Sequence, residues 1–361
     1  MSDYRPPLED IRLVLDEISD ISAICELPGY EHVDPETVDS VLEELGRFVA
    51  EVVAPVNRIG DEEGCTVTDG VVTTPEAFSA AWDKFVEAGW GAVAQDPDYG
   101  GGGFPGAVQT VMTEMIATAS RAWSMGPMLT VGALDALHTF AGEDLKEIYL
   151  PKMVSGEWSG TMNLTEPQAG SDVGALTTRA VLQDDGSYRI FGTKIFITFG
   201  EHELTENIIQ LVLARTPDSP PGTKGISLFV VPKYLVDDDG NPGARNDYQC
   251  LSVEHKIGLH ASPTCVLSYG DAGVGATGFL VGEEHQGMRY MFKMMNNARL
   301  GVGVEGLAAS LHVLSVQQNC PAAHSSVEEV DAHLHAVDTA VALLVVHAVV
   351  VGVEGLAASL H

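Results

Sequence analysis

The chain has 361 residues, 45% of them hydrophobic and 19% charged, a composition that supports two or three packed domains and argues against a disordered chain. Nineteen Lys+Arg against 51 Asp+Glu leave a net charge of −32, which excludes a protein that works by neutralising nucleic-acid phosphates. Five cysteines (Cys25, Cys65, Cys250, Cys265, Cys320) are odd in number and far apart, so neither a disulfide framework nor a zinc module is suggested and a reducing compartment is expected.

The opening MSDYRPP lacks the basic start and apolar run of a secretory signal. The most apolar stretch, Ala340 to Val353, is interrupted by His347 and falls short of the ~20 residues a spanning helix needs. The expectation is a soluble, cytoplasmic protein.

From about residue 8 to 157 the apolar period is helical. Val38, Val41, Leu42, Leu45, Phe48, Val49, Val52 and Val53 form a one-sided stripe. Asp34-Pro35 before it is a helix start, the carboxylate capping free N–H groups and the proline standing where no N–H is needed. Further stripes run Phe78, Trp82, Phe85, Val86, Gly89 and Val108 to Ala119.

From about Ser159 to Gly282 short β-branched and aromatic runs alternate with Gly, Pro and Asp. Tyr188–Thr198, Asn207–Ala214, Ile226–Val231 and Cys265–Tyr269 read as strands, without helices between them. The pattern predicts an antiparallel sandwich or barrel and disfavours a doubly wound parallel sheet.

Helical texture resumes at Gly287 to Arg299. The 62 residues from Leu300 to His361 then contain no Lys or Arg and six of the twelve His. Within them VGVEGLAASLH occurs at Val302–His312 and again at Val351–His361, which reads as a duplication in the coding sequence, since solenoid repeats come in threes or more and drift.

Two G-x-G-x-x-G matches, Gly101/Gly103/Gly106 and Gly301/Gly303/Gly306, lack a preceding strand and are not read as dinucleotide sites. TEPQAGSD (Thr165 to Asp172) leaves an expected strand at Gly160 to Leu164 and turns tightly enough to aim N–H groups at an anion, with Ser171 adding a hydroxyl. A plain surface turn capped by Asp172 is the alternative. Phe196 and Thr198, two apart on a strand, share a face and are either core packing or an aromatic and hydroxyl pair aimed at a ligand. Arg299, the last positive charge, is a dipole partner at a helix C-terminus or an anion clamp. His333 and His335, two apart, do not share a helix face and carry no metal reading.

Taken in order, FVAEVVAPVNRIGDEEG (Phe48–Gly64), FVEAGWGAV (Phe85–Val93), YGGGGFP (Tyr99–Pro105), MNLTEPQAGSDVGAL (Met162–Leu176), GTKIFIT (Gly192–Thr198), KGISLFVVPK (Lys224–Lys233), EHKIGLHASPT (Glu254–Thr264) and GEEHQGMRYMFKMMNNARLGVG (Gly282–Gly303) resemble the acyl-CoA dehydrogenase family over about residues 5 to 306. The opening YRPPLEDIRLVLDEI is similar to its large bacterial branch, which includes methylthiopropanoyl-CoA dehydrogenases. The resemblance implies an α+β chain: an N-terminal helical domain (1–157), a middle antiparallel β-barrel (158–283) and an incomplete C-terminal helical bundle (284–361).

It also implies FAD as cofactor, with Met162 to Ser171 lining it. The backbone at Leu164 and Thr165 would face the isoalloxazine edge, and Gly170 and Ser171 the pyrophosphate. Phe196 would stand against the ring face, Ile197 would count among the contacts, and Thr198 would hydrogen-bond the flavin nitrogen N5 that takes up hydride. Ser171, Asn296 and Arg299 correspond to contacts of the acyl-CoA substrate, although Asn and Ala at 297 and 298 depart from the family's usual residues. An electron-transferring flavoprotein would be the electron acceptor, and relatives are homo-oligomers. The family's glutamate base lies beyond the last recognisable residue, and Glu305, Glu328, Glu329 and Glu354 have no matching context. The expectation is a C-terminally truncated or frame-disrupted dehydrogenase with no nameable base.

Overall fold

The computed structural model describes residues 4–318 apart from Asp238. In chain order the helices are α1 (Leu8–Glu17), α2 (Ile21–Cys25), α3 (Pro35–Phe48), α4 (Ala54–Glu63), α5 (Glu76–Glu87), α6 (Gly106–Ala119), α7 (Arg121–Phe140), α8 (Glu143–Ser155) and α9 (Gly287–Gln318). The strands are β1 (Thr66–Thr68), β2 (Val71–Thr73), β3 (Trp158–Asn163), β4 (Arg179–Leu182), β5 (Tyr188–Thr198), β6 (Asn207–Arg215), β7 (Ile226–Pro232), β8 (Tyr234–Val236), β9 (Pro242–Arg245), β10 (Tyr248–Val253), β11 (Thr264–Tyr269) and β12 (Ala276–Leu280). Among the described residues no helix is long and apolar enough to cross a membrane.

The chain forms two compact units. The first comprises Met1–Arg58, Ala92–Ser124 and the described part of Arg299–His361. Its α3 starts as expected: Asp34 accepts the Thr37 N–H at 2.7 Å and Pro35 fills the first turn. Val38, Leu42, Leu45 and Val49 are the buried stripe, and a π-helical turn at Val49–Val53 carries the run on into α4. Almost every second-half residue of α6 is buried, which is why its apolar pattern covers all faces.

The unit also buries carboxyls. Glu305 is fully buried with its carboxylate 2.5 Å from the Arg121 guanidinium, and burial raises it to about 7 against the arginine's opposing pull. Burial likewise raises Glu114 to about 7.

Helix α9 does not stop at Arg299 but runs to Gln318. Burial of Val304, Leu307 and Ala308 outweighs the helix-propensity cost of Gly301, Gly303 and Gly306. Arg299 therefore sits in mid-helix, which removes its reading as a C-terminal dipole partner. The second glycine match lies inside this helix, while the first sits between a 3₁₀ turn at Pro97–Tyr99 and α6. The second copy of the repeat, the Ala340–Val353 stretch, Cys320, Glu328, Glu329, Glu354, His333 and His335 lie outside the described residues.

The second unit, Ile59–Gly91 and Met125–Ala298, contains the sheet. Its order is β10-β11-β5-β12-β7-β6-β3, with β4 pairing both β5 and β6. The pairs are antiparallel apart from β3 and β4 against β6. Strands β6 and β7 are buried nearly throughout, which accounts for their unbroken apolar runs. Ile190, Ile197, Val212, Phe229, Val231 and Leu267 belong to the core on the sheet. Gly160 lets β3 pass α7, since a side chain there would come within 2.5 Å of Ala133 Cβ.

Candidate functional site

Strand β3 delivers the chain into TEPQAGSD, and that turn is built tightly. Glu166 and Ala169 exchange backbone hydrogen bonds (3.2 and 3.0 Å) across Pro167-Gln168, and Asp172 accepts the Gly174 N–H at 3.0 Å. The capped-turn reading is therefore correct, and the turn also has an interior. Glu166 is buried beneath it, accepting from Thr177 N (2.7 Å), Thr177 Oγ1 (3.0 Å), Thr178 N (3.0 Å), Gln168 Nε2 (2.6 Å) and Lys194 Nζ (2.9 Å). Burial alone would raise this carboxyl, but the Lys194 ammonium and the threonine donors outweigh it and hold Glu166 at about 2. Lys194 Nζ also donates to Leu164 O at 3.0 Å, so one ammonium ties both sides of the turn.

The same ties bring the turn beside the end of β5. Ile195 N donates to Thr165 O at 2.9 Å, and Thr161 Oγ1 donates to Thr198 O at 2.7 Å. Opposite Val266, β5 holds two residues, Ile195 and Phe196, where β11 holds one, a bulge that breaks the alternation assumed from sequence. Phe196 has φ of +59° and is 57% exposed, so core packing does not hold it. A left-handed phenylalanine costs about 1–3 kcal/mol and is the kind of strain that collects at functional sites. Ile197 is buried in the sheet core, paired with Cys265 of β11 and accepting from Gly200 N at 3.2 Å, so the structure does not bring it to an open face. Thr198 and Met162 are half-buried and Leu164 is buried. The Thr198 hydroxyl has no partner among the described residues. Gly170 and Ser171 are exposed, and their amides make no hydrogen bond among the described residues.

Asn296 lies on the part of α9 that belongs to this unit, where the neighbouring Asn297 donates to Asp135 Oδ2 at 2.6 Å. Arg299, one turn on, belongs to the first unit.

Sequence reasoning assigned no role to Glu166 and Lys194, although both stand in the quoted motifs. The signal was present: Tyr188, Ile190 and Lys194 share one parity on β5, and a lysine on a core face demands a buried partner. A Ser–His pair in the same unit is not a nucleophile. Leu204 N donates to His202 Nδ1 (3.2 Å), which leaves Nε2 protonated and donating to Ser159 Oγ (3.0 Å), and burial pushes the imidazole down to about 3.

An exposed aromatic face, a spare hydroxyl and two spare amides on a braced turn suit a flat heteroaromatic group with an anionic tail. Residues 35–157 match the family described as "Acyl-CoA dehydrogenase, N-terminal domain" and residues 161–272 the "Acyl-CoA dehydrogenase, middle domain". The chain belongs to the acyl-CoA dehydrogenase family. It is 48% identical over 316 residues to the 3-methylmercaptopropionyl-CoA dehydrogenase of Ruegeria pomeroyi, covering 86% of this chain and 53% of that protein. It is 40% identical over 310 residues to a butyryl-CoA dehydrogenase of Syntrophomonas wolfei, covering 83% and 50%. The chain thus spans about half the length of the curated relatives it matches. The solved butyryl-CoA dehydrogenase of Megasphaera elsdenii has the same fold, with a TM-score of 0.63 at 24% identity over 78% of this chain and 68% of that one.

Proposed function

We propose that this chain carries the flavin-binding part of an acyl-CoA dehydrogenase, an oxidoreductase that desaturates an acyl-CoA thioester between the α and β carbons. The reading rests on one observation: a strained, exposed Phe196 and the unpartnered Thr198 hydroxyl stand beside a turn whose Gly170 and Ser171 amides are unused. That donor set fits FAD. Phe196 would cover the ring, with Met162 and the backbone of Leu164 and Thr165 along its edge. The Thr198 hydroxyl would donate to the flavin nitrogen that takes up hydride, and Gly170 and Ser171 would meet the pyrophosphate. When bound, FAD supplies the two-electron acceptor for the hydride leaving the β carbon. Ser171 and Asn296 are assigned to the CoA ester, the latter on α9.

Glu166 is no base for the α-proton, because Lys194 and four further donors saturate it and keep it ionised at about 2. A second reading is that this chain holds flavin and ester without turning them over. An electron-transferring flavoprotein is the proposed acceptor and a homo-oligomer the proposed assembly. The free thiols of Cys25, Cys65, Cys250 and Cys265 support a cytoplasmic setting.

The test is an anaerobic visible spectrum of the FAD-supplied chain before and after short, medium and methylthio-substituted acyl-CoAs. Bleaching of the flavin band supports the dehydrogenase. A bound flavin that stays oxidised supports the second reading, and a chain that binds no flavin contradicts both.

A further inference from the structure

Behind the proposed flavin face lies a chain of buried carboxamides and phenols that the site's chemistry does not use. Tyr269 Oη donates to Asn163 Oδ1 (2.8 Å), and Asn163 Nδ2 donates to Gln210 Oε1 (2.8 Å). Gln210 Nε2 in turn donates to Gly200 O (2.6 Å) and Tyr248 Oη (3.1 Å). Asn163 and Gln210 are both fully buried, on the paired strands β3 and β6, and Gln210 interrupts a run in β6 that is otherwise apolar from Ile208 to Ala214. Apolar side chains would fill that space with no polar atom to satisfy, so the network stands out as something other than core filling.

Its two ends explain it. Asn163 is the last residue of β3, immediately before Leu164 and Thr165. Gly200 closes the turn that follows Thr198, where Phe199 is held at φ +52° by its N–H to Pro263 O (2.7 Å) and Gly200 N donates to Ile197 O (3.2 Å). Gln210 therefore joins the exit of β3 to the exit of β5, the two walls that present Met162–Thr165 and Phe196–Thr198. A side chain there must accept from Asn163 while donating to Gly200 O, and a carboxamide of this length does both. Glutamate would set a carboxylate against a carbonyl oxygen, and methionine would keep the volume with neither bond.

We infer that Gln210 is a positioning residue, setting the separation of the two walls through Asn163 and Gly200 and so the fit of the flavin between them. The inference rests on the flavin reading for its purpose but on the network alone for its mechanics. The experiment uses the full chain with Gln210→Met, Gln210→Glu and the milder Tyr269→Phe. Three quantities are followed: FAD affinity by fluorescence titration, visible circular dichroism of bound FAD, and amide hydrogen exchange without FAD by peptide mass spectrometry.

Gln210→Met is expected to speed exchange selectively in peptides spanning 162–166 and 195–200, to weaken FAD at least about tenfold and to alter the flavin dichroism. Tyr269→Phe should do the same to a smaller degree, about threefold, and it carries the test if the Gln210 variants do not fold. Exchange that rises evenly through the sheet, with FAD affinity and flavin dichroism unchanged, would overturn the inference and leave a merely structural network. If the wild-type chain binds no FAD, the flavin reading falls, and the exchange pattern still decides whether Gln210 clamps the two walls.

Discussion

Lys194 holds its ammonium 2.9 Å from Glu166 Oε1, with both side chains buried, and the same ammonium donates to Leu164 O. One strand residue thereby fixes the turn that follows a different strand. An ion pair so placed stabilises the fold little compared with an apolar pair, but removing one partner strands the other charge in the core.

Lys194→Met should therefore destabilise the second unit by about 3–5 kcal/mol, and Glu166→Gln by a comparable amount, since it strands the Lys194 ammonium and one amide oxygen cannot replace the two carboxylate oxygens that accept from Thr177 and Thr178. The pair also sets a pH dependence. Glu166 titrates at about 2 when folded against 4.5 unperturbed, so its contribution is complete above 4.5 and is lost as pH falls toward 2. Urea denaturation between pH 5 and pH 2.5 should show a larger loss of stability in the wild type than in Glu166→Gln, the remainder coming from other carboxylates held low, such as Asp34 and Glu157.

Phe196→Gly separates function from stability. Glycine adopts φ of +59° freely, and the ring is already 57% exposed, so relief of about 1–2 kcal/mol of strain offsets glycine's entropic cost of about 0.5–1 kcal/mol. Thermal melting should show an unchanged or slightly higher midpoint. FAD affinity should fall three- to tenfold with the lost ring face, equivalent to about 0.5–1.5 kcal/mol.

In the first unit Glu114 works in the opposite direction from Glu166. Its folded value of about 7 exceeds the unperturbed 4.5 because burial disfavours the carboxylate. The folded state holds this proton more tightly, so stability is greatest below 4.5 and declines as pH rises toward 7. Glu114→Gln should raise stability at pH 8 by on the order of 2 kcal/mol and flatten part of the decline from pH 5 to pH 8. Glu305, raised in the same direction, supplies a remaining slope. Chemical denaturation at several pH values checks both.

The helices and strands were legible because their signals are local. Asp34-Pro35 capped α3, and the alternating or unbroken apolar runs marked β5, β6 and β7. The parallel pairing of β3 with β6 was not, since nothing within either run states its neighbour. The end of α9 was misplaced because the composition changes after Arg299, where Lys and Arg cease, while the burial that carries the helix on to Gln318 is tertiary. At the site, the motif residues were legible and their supports were not. The bulge at Ile195–Phe196 depends on the register with β11, and the roles of Glu166, Lys194, Asn163 and Gln210 depend on partners from 10 to 106 residues away on other elements.

On the flavin reading, the braced turn at Thr165–Asp172 and the end of β5 form one flavin-binding face. It is tested most directly by titrating the purified chain with FAD and following flavin fluorescence, alongside Phe196→Gly and Lys194→Met. Saturable binding of one FAD per chain is expected, weakened in Phe196→Gly at unchanged stability and lost in Lys194→Met. A folded wild-type chain that leaves FAD free, or one that binds it equally well without the Phe196 ring, would contradict it.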